Sequence, residues 1–330
     1  MDYLAKEQKA SGLTAEQLQA VGCTEPGFKE LSMIRVAKYL TNMTKHPGGL
    51  PYAFGMVCSR FMGFYAKEDW KALKKSRTKK KVKLENGRSL KLTFVECPEK
   101  YRKEDGKERI IVLSHGFNSI STYMLQYYSI YMKEGFSAVY FDQRGHGKAK
   151  KYECTMGYNE ALDLIDIVKV LRKKHGRNAI IGVQGESMGS GTLAQALDRI
   201  DETSDFAVLD CGYSGMDEMA CWIEKLFFFY PKAALHDLVN ELSSVGDVKY
   251  TDVKGLVHIK AARPNYPVFF AHGGGDFFVP THFSKDMANA KRGKAELHIY
   301  GHAFHAQSRF LHHKDYEKDI HDWMEKNYLL

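Results

Sequence analysis

The pattern of apolar and polar positions changes character near residue 80 of the 330-residue chain. Before that point apolar residues recur at helical spacing. Thr14 and Gln17 form a capping-box pair at the head of a short helix that Gly22 would stop. A second helix is expected from about residue 27 to 43, ending before the breaker His46-Pro47-Gly48-Gly49. Phe54, Val57, Cys58, Phe61 and Tyr65 then fall at i, i+3, i+4, i+7 and i+11, one apolar helical stripe. Residues 1–70 therefore read as an N-terminal helical extension.

Beyond residue 80 the period shortens. Residues 82–84 and 90–95 alternate and are joined by Glu85-Asn86-Gly87, whose Asn-Gly step is a hairpin turn signal. Short apolar runs at 110–113, 138–141, 179–183, 207–209, 268–271 and 296–300 read as buried strands. Between them, residues 160–174 place Ala161, Leu164, Ile165, Val168 and Leu171 on one helical face. Residues 308–328 do the same with Tyr316, Ile320, Trp323 and Met324. Alternation of this kind predicts an α/β fold over residues 71–330, with a mostly parallel central sheet flanked by helices.

Composition narrows the class. Hydrophobic residues make up 44% and charged residues 27%, the balance of a globular chain with one large core. No run of 18 uncharged apolar residues occurs, so no transmembrane helix is expected, and the charged N-terminus lacks the apolar core of a signal peptide. Six scattered cysteines without a CxxC pair read as reduced, buried thiols in a cytoplasmic protein, not as a disulfide framework or zinc site. The net charge of +8 is concentrated in residues 71–83. That run reads first as a solvated linker and strand edge. It would also attract phosphate-rich surfaces, so residues 50–83 are the candidate for weak peripheral membrane contact. No nucleic-acid motif accompanies it, and no nucleic-acid partner is expected.

The chemistry concentrates at strand ends. Gly185-Glu186-Ser187-Met188-Gly189 follows the 179–183 strand and opens a helix. Two glycines allow a tight strand-to-helix turn that projects the serine hydroxyl, and the helix start offers free N–H groups. His115-Gly116-Phe117-Asn118 follows the 110–113 strand. An acyl intermediate needs two N–H donors for its oxyanion, and Met188 and Phe117 are placed to supply them. His115 reads as a loop-ordering residue. Asp276 closes His272-Gly273-Gly274-Gly275-Asp276 after a further strand, where a carboxylate faces the crevice of an α/β fold. Two histidines of Gly301-His302-Ala303-Phe304-His305 compete for the base, and spacing alone leaves His302 and His305 both open. Neither reads as a metal ligand, and the chemistry requires no cofactor. The order Ser187, Asp276, His305 is that of an α/β-hydrolase triad.

On these motifs the chain resembles the α/β-hydrolase superfamily over roughly residues 80–330. More narrowly, it is similar to bacterial esterase-like and serine aminopeptidase-like hydrolases. Asp142-Gln143-Arg144-Gly145-His146-Gly147, Asp210-Cys211-Gly212-Tyr213-Ser214 and His305-Ala306-Gln307-Ser308 carry that similarity besides the motifs above. The last resembles the family's His-Ala-x-Ser signature and favours His305. Arg144 and His146 correspond to structural residues. The glycine pair Gly274-Gly275 is a departure that suggests a mobile acid loop. The resemblance implies a short helical lid at about 212–263, where Phe227, Phe228 and Tyr230 are candidates for substrate binding. An aromatic lid favours a small-molecule carboxylic ester. Asp217, Glu218 and Glu224 keep a peptidase that grips a free N-terminus as the alternative, and a non-catalytic hydrolase-fold binding module is the third reading.

Overall fold

The computed structural model describes residues 64–85, 87–228, 244–245 and 248–330. The expected N-terminal helices lie outside the described residues, apart from the end of the apolar stripe. There Phe64 and Tyr65 are buried in the main core with Trp70 and Leu73, and Tyr65 Oη donates to the Leu125 carbonyl.

Helix α1 (Lys67–Ser76) leads into strand β1 (Thr78–Lys83), which pairs antiparallel with β2 (Ser89–Val95). The hairpin is where the Asn-Gly step predicts it. Its first strand starts earlier than the apolar pattern, because β1 is an exposed edge that buries no apolar face. A row of lysines on such an edge also deters pairing with another chain.

The sheet continues with β3 (Arg109–Ser114), β4 (Ser137–Phe141), β5 (Ile180–Glu186), β6 (Phe206–Asp210), β9 (Val268–Gly273) and β10 (Ala295–Tyr300). Its order is β1-β2-β4-β3-β5-β6-β9-β10, and the six strands after β2 in that order run parallel. A two-residue pair, β7 (Ser244–Val245) with β8 (Val248–Lys249), stands apart.

Both faces of the parallel strands are covered, so their side chains are apolar on both sides. Ile111 and Leu113 of β3 join a cluster with α2 (Leu125–Lys133) and the C-terminal helix. Ile110 and Val112 point into a second cluster with α3 (Tyr158–His175), α4 (Met188–Ile200), α6 (Gly255–Ala261) and α7 (His282–Ala290). Helix α5 (Met216–Phe228) follows β6.

The C-terminal segment, expected as one helix, is two: α8 (Ser308–Leu311) and α9 (His313–Lys326). His312 breaks it with non-helical torsions, and its ring Nε2 bonds the Gly301 carbonyl at 2.7 Å. Among the described residues, no helix is long and apolar enough to cross a membrane.

The connection from β3 goes to β4 on one side of the sheet, and the chain then returns to β5 on the other side of β3. Strand order reverses at that point, so the loops leaving β3 and β5 part there and open a crevice at the strands' carboxyl ends.

Candidate active site

Ser187 stands on the turn from β5 to α4 with φ 52° and ψ −115°, a left-handed backbone that costs a non-glycine residue strain. The glycines around it are required by close approach. A Cβ on Gly189 would lie 2.1 Å from the Ser114 carbonyl oxygen, and one on Gly185 would lie 2.3 Å from that of Gly189. The first turn of α4 is thus pressed against the end of β3. The Ser187 N–H donates to the Asp210 carbonyl at 2.9 Å, which fixes the turn to the neighbouring strand.

The Ser187 hydroxyl lies 2.9 Å from His305 Nε2, and His305 Nδ1 lies 2.8 Å from Asp276 Oδ2. Nδ1–H donates to the carboxylate, leaving Nε2 free to accept from the hydroxyl. Asp276 Oδ1 accepts the N–H groups of Phe278 and Val279 at 3.0 and 2.9 Å. His272 Nε2 stands 3.2 Å from Oδ2. Burial pushes the Asp276 carboxyl up, but hydrogen bonds from His272 and His305 outweigh it, so its pKa lies below the ordinary value. It is ionised at neutral pH. The glycine-rich acid loop is pinned, with Gly274 N–H on the Tyr300 carbonyl and Gly275 N–H on that of Ala303. His302 is exposed and turned away on a left-handed residue, so the two competing histidines separate in favour of His305.

The loop after β3 carries Phe117 beside the turn. A Cβ on Gly116 would stand 3.3 Å from Ser187 Cβ. Two neutral histidines hold this loop. His115 Nε2 accepts from Gln143 N–H, and its Nδ1 bonds the Gly116 carbonyl. His146 Nε2 accepts from Asn118 N–H at 3.0 Å, while its Nδ1 bonds the Arg144 carbonyl. Burial lowers both, and the neighbouring His115 helps bring His146 down to about 3. Arg144 in turn grips Asp163 of α3 with two bonds of 2.9 Å. Met188, whose N–H heads α4, has no acceptor within its own helix.

Sequence reasoning gave no role to what lies beneath. Tyr127 Oη stands 2.9 Å from Glu186 Oε2 and 2.9 Å from Asp210 Oδ2, and Tyr316 Oη donates to the same Asp210 oxygen. Tyr127 has one proton and two carboxylate neighbours, so the trio needs a second proton. Burial raises both carboxyls, and with Asp210 close by it pushes Glu186 up to about 8, so Glu186 is the candidate holder of that proton. A carboxylate inside the elbow motif was visible in the sequence, but its tyrosine and aspartate partners come from α2 and β6.

Cys211 Sγ, the Asp276 carboxylate and the His305 ring come within 4.8 Å of one another, a donor set the sequence reading did not foresee. Burial, with Asp210 and Glu186 adding, raises the Cys211 thiol well above its usual range, so it is protonated. Both nitrogens of His305 are engaged by Ser187 and Asp276.

Of the lid candidates, Phe227 and Phe228 end α5, and their side chains and Tyr230 lie outside the described residues. Helix α5 docks on the acid loop through Trp222 Nε1, which donates to the Phe277 carbonyl at 3.0 Å.

The sequence profile of the serine aminopeptidase S33 family matches residues 105–245. YqkD of Bacillus subtilis, described as an uncharacterized protein, is 25% identical over 217 residues, 65% of this chain and 70% of its own. Among solved structures, the Pyrococcus furiosus esterase Pf2001 superposes with a TM-score of 0.59 at 20% identity, covering 78% of this chain and 93% of that one. The Pyrococcus horikoshii acylaminoacyl peptidase gives 0.56 at 16% identity over 79% of this chain and 44% of its own length. The chain has the α/β-hydrolase fold. The family match and the fold together support a serine hydrolase of the α/β-hydrolase type. The elbow with Ser187, the acid loop with Asp276 and the base loop with His305 lie at the ends of β5, β9 and β10.

Proposed function

We propose that the protein cleaves carboxylic esters of apolar acyl groups, with Ser187 as nucleophile, His305 as base and Asp276 as its orienting acid. The observation that carries this reading is the continuous chain of bonds from Ser187 Oγ through His305 to Asp276 Oδ2. His305 takes the hydroxyl proton as Ser187 attacks the carbonyl, and Asp276 stabilises the imidazolium. The N–H groups of Phe117 and Met188 hold the oxyanion, each worth about 3–4 kcal/mol of barrier. His305 then protonates the leaving alkoxide, and water attacks the acyl-enzyme through the same base.

The acyl side is read from the cluster that borders the triad. Met188, Met156, Met216 and Met219 pack with Val279 and Phe283, and Phe117 and Phe278 close over them. The Phe278 ring lies 5.1 Å from that of His305. Methionines adapt to irregular apolar shapes, which suits acyl chains of varied form. At the mouth, the exposed rings of Phe277 and Phe304 meet edge to face 6.1 Å apart.

Fluorophosphonate labelling of the parent and of Ser187→Ala tests the nucleophile, and turnover of nitrophenyl esters against aminoacyl anilides tests the substrate class. Labelling of the parent alone, with ester turnover, is the expected result. Anilide turnover exceeding ester turnover would replace the esterase reading with a peptidase. A folded parent that does not label would leave the binding-module reading.

A further inference from the structure

The basic run has a structural counterpart that the acyl chemistry does not use. Alternation along β1 sends Lys79 and Lys81 to one face of the hairpin and Lys80 to the other. Register places Lys81 opposite Lys91 and Lys79 opposite Thr93. Like charges directly opposite on a sheet repel. Lys148 and Lys151, from the loop after β4, line the same cavity, which has a volume of about 290 Å³. Five lysines therefore line one space.

Little in the wall compensates them, apart from the Tyr152 ring beneath the Lys151 ammonium. None of the five lysines makes an ion pair among the described residues. The carboxylate in the wall, Asp142, is consumed internally: Oδ1 accepts from the N–H and hydroxyl of Ser121, and Oδ2 from the Lys148 N–H. The charge of Lys148 lowers the pKa of Lys79, a sign that the two ammonium groups are crowded without a counter-ion.

A second observation is independent of charge. Thr122 lines this cavity, is 1% exposed, and its hydroxyl has no hydrogen-bond partner. A buried hydroxyl without a partner costs stability, and a ligand oxygen in the cavity would satisfy it.

We propose that this cavity is a binding site for a phosphate group, held by Lys79, Lys81, Lys91 and Lys148 and hydrogen-bonded by Thr122. Several convergent ammonium groups with a hydroxyl match the charge and acceptor oxygens of a phosphate. The volume leaves room for part of the molecule that carries it. The phosphate is either soluble, as an ester, or borne on a lipid headgroup.

Calorimetric titration with inorganic phosphate at fixed ionic strength, with chloride as reference, measures the site in the full chain. The Lys79→Gln/Lys148→Gln variant is expected to bind at least tenfold more weakly. Lys80→Gln/Lys174→Gln removes the same charge from the opposite groove, where both ammonium groups lie over the Phe94 ring, and should bind as the parent does. Thr122→Val should weaken phosphate several-fold with its melting temperature unchanged or raised, since the hydroxyl has no partner to lose. Titration with glycerol 3-phosphate and co-sedimentation with phosphatidylcholine vesicles containing phosphatidic acid separate the two sources. Response to the ester assigns a soluble ligand. Response to phosphatidic acid vesicles alone, lost in Lys79→Gln/Lys148→Gln, assigns a headgroup. Binding that tracks total charge equally in both double variants, or no phosphate-specific response in either arm, overturns the proposal.

Discussion

A single Cβ is enough to test the elbow. Ala at position 189 would put a methyl 2.1 Å from the Ser114 carbonyl, and both partners are backbone. Neither can turn aside as a side chain would, so Gly189→Ala should cost about 1–3 kcal/mol or more in stability and displace Ser187. Urea unfolding and fluorophosphonate labelling measure the two effects, and Gly301→Ala, where a Cβ meets nothing within 4 Å, is the control. A Gly189→Ala protein that unfolds and labels like the parent would contradict the close-packed elbow. At this scale the sequence was readable where a motif coincides with a strand end. Ser187 and Asp276 are such cases. Position along the chain could not separate His302 from His305, because the choice rests on which ring the base loop turns toward the crevice. Nor could it reveal Tyr127 and Asp210 beneath Glu186, since only the fold brings α2 and β6 under the elbow.

At the scale of elements, the strands and long helices followed from period, whereas interruptions did not. The apolar spacing of Tyr316, Ile320, Trp323 and Met324 is helical and all four are buried, so the helix is legible. The break at His312 is not, because it depends on a carbonyl of the base loop that only tertiary structure supplies. This yields a contrast between two substitutions in one segment. Trp323 is 2% exposed and packs edge-on against Phe206 and Phe269. Trp323→Ala should lose about 3–5 kcal/mol of stability, with kcat of the surviving folded protein little changed. His312→Ala removes one hydrogen bond, about 1 kcal/mol, yet it loosens the loop that carries His305. Its kcat should fall by more than its stability implies. Equal ratios of kcat loss to stability loss in the two variants would show that His312 does not position the base loop.

Across the whole molecule, the site is held together by groups whose charge states are set by burial, and these give the protein its own pH profile. His146, which anchors the loop after β3, is brought from 6.5 down to about 3. Between those values the unfolded chain binds the proton and the folded one does not, so stability rises with pH there. Glu186, beneath Ser187, is raised from 4.5 to about 8. Between those values the folded protein holds the proton that the unfolded chain has lost, so stability falls as pH rises. The two slopes oppose each other from about pH 4.5 to 6.5, and each is at most about 1.4 kcal/mol per pH unit. Above 6.5 the Glu186 slope acts without that of His146. Glu186→Gln keeps the shape and the hydrogen bond to Tyr127 but removes the titration. The parent should therefore lose stability from pH 6.5 to 8, while Glu186→Gln should hold its urea midpoint over the same range. Parallel curves for the two proteins would mean that Glu186 is already ionised in the fold. The proton shared beneath the elbow would then have to sit on Asp210.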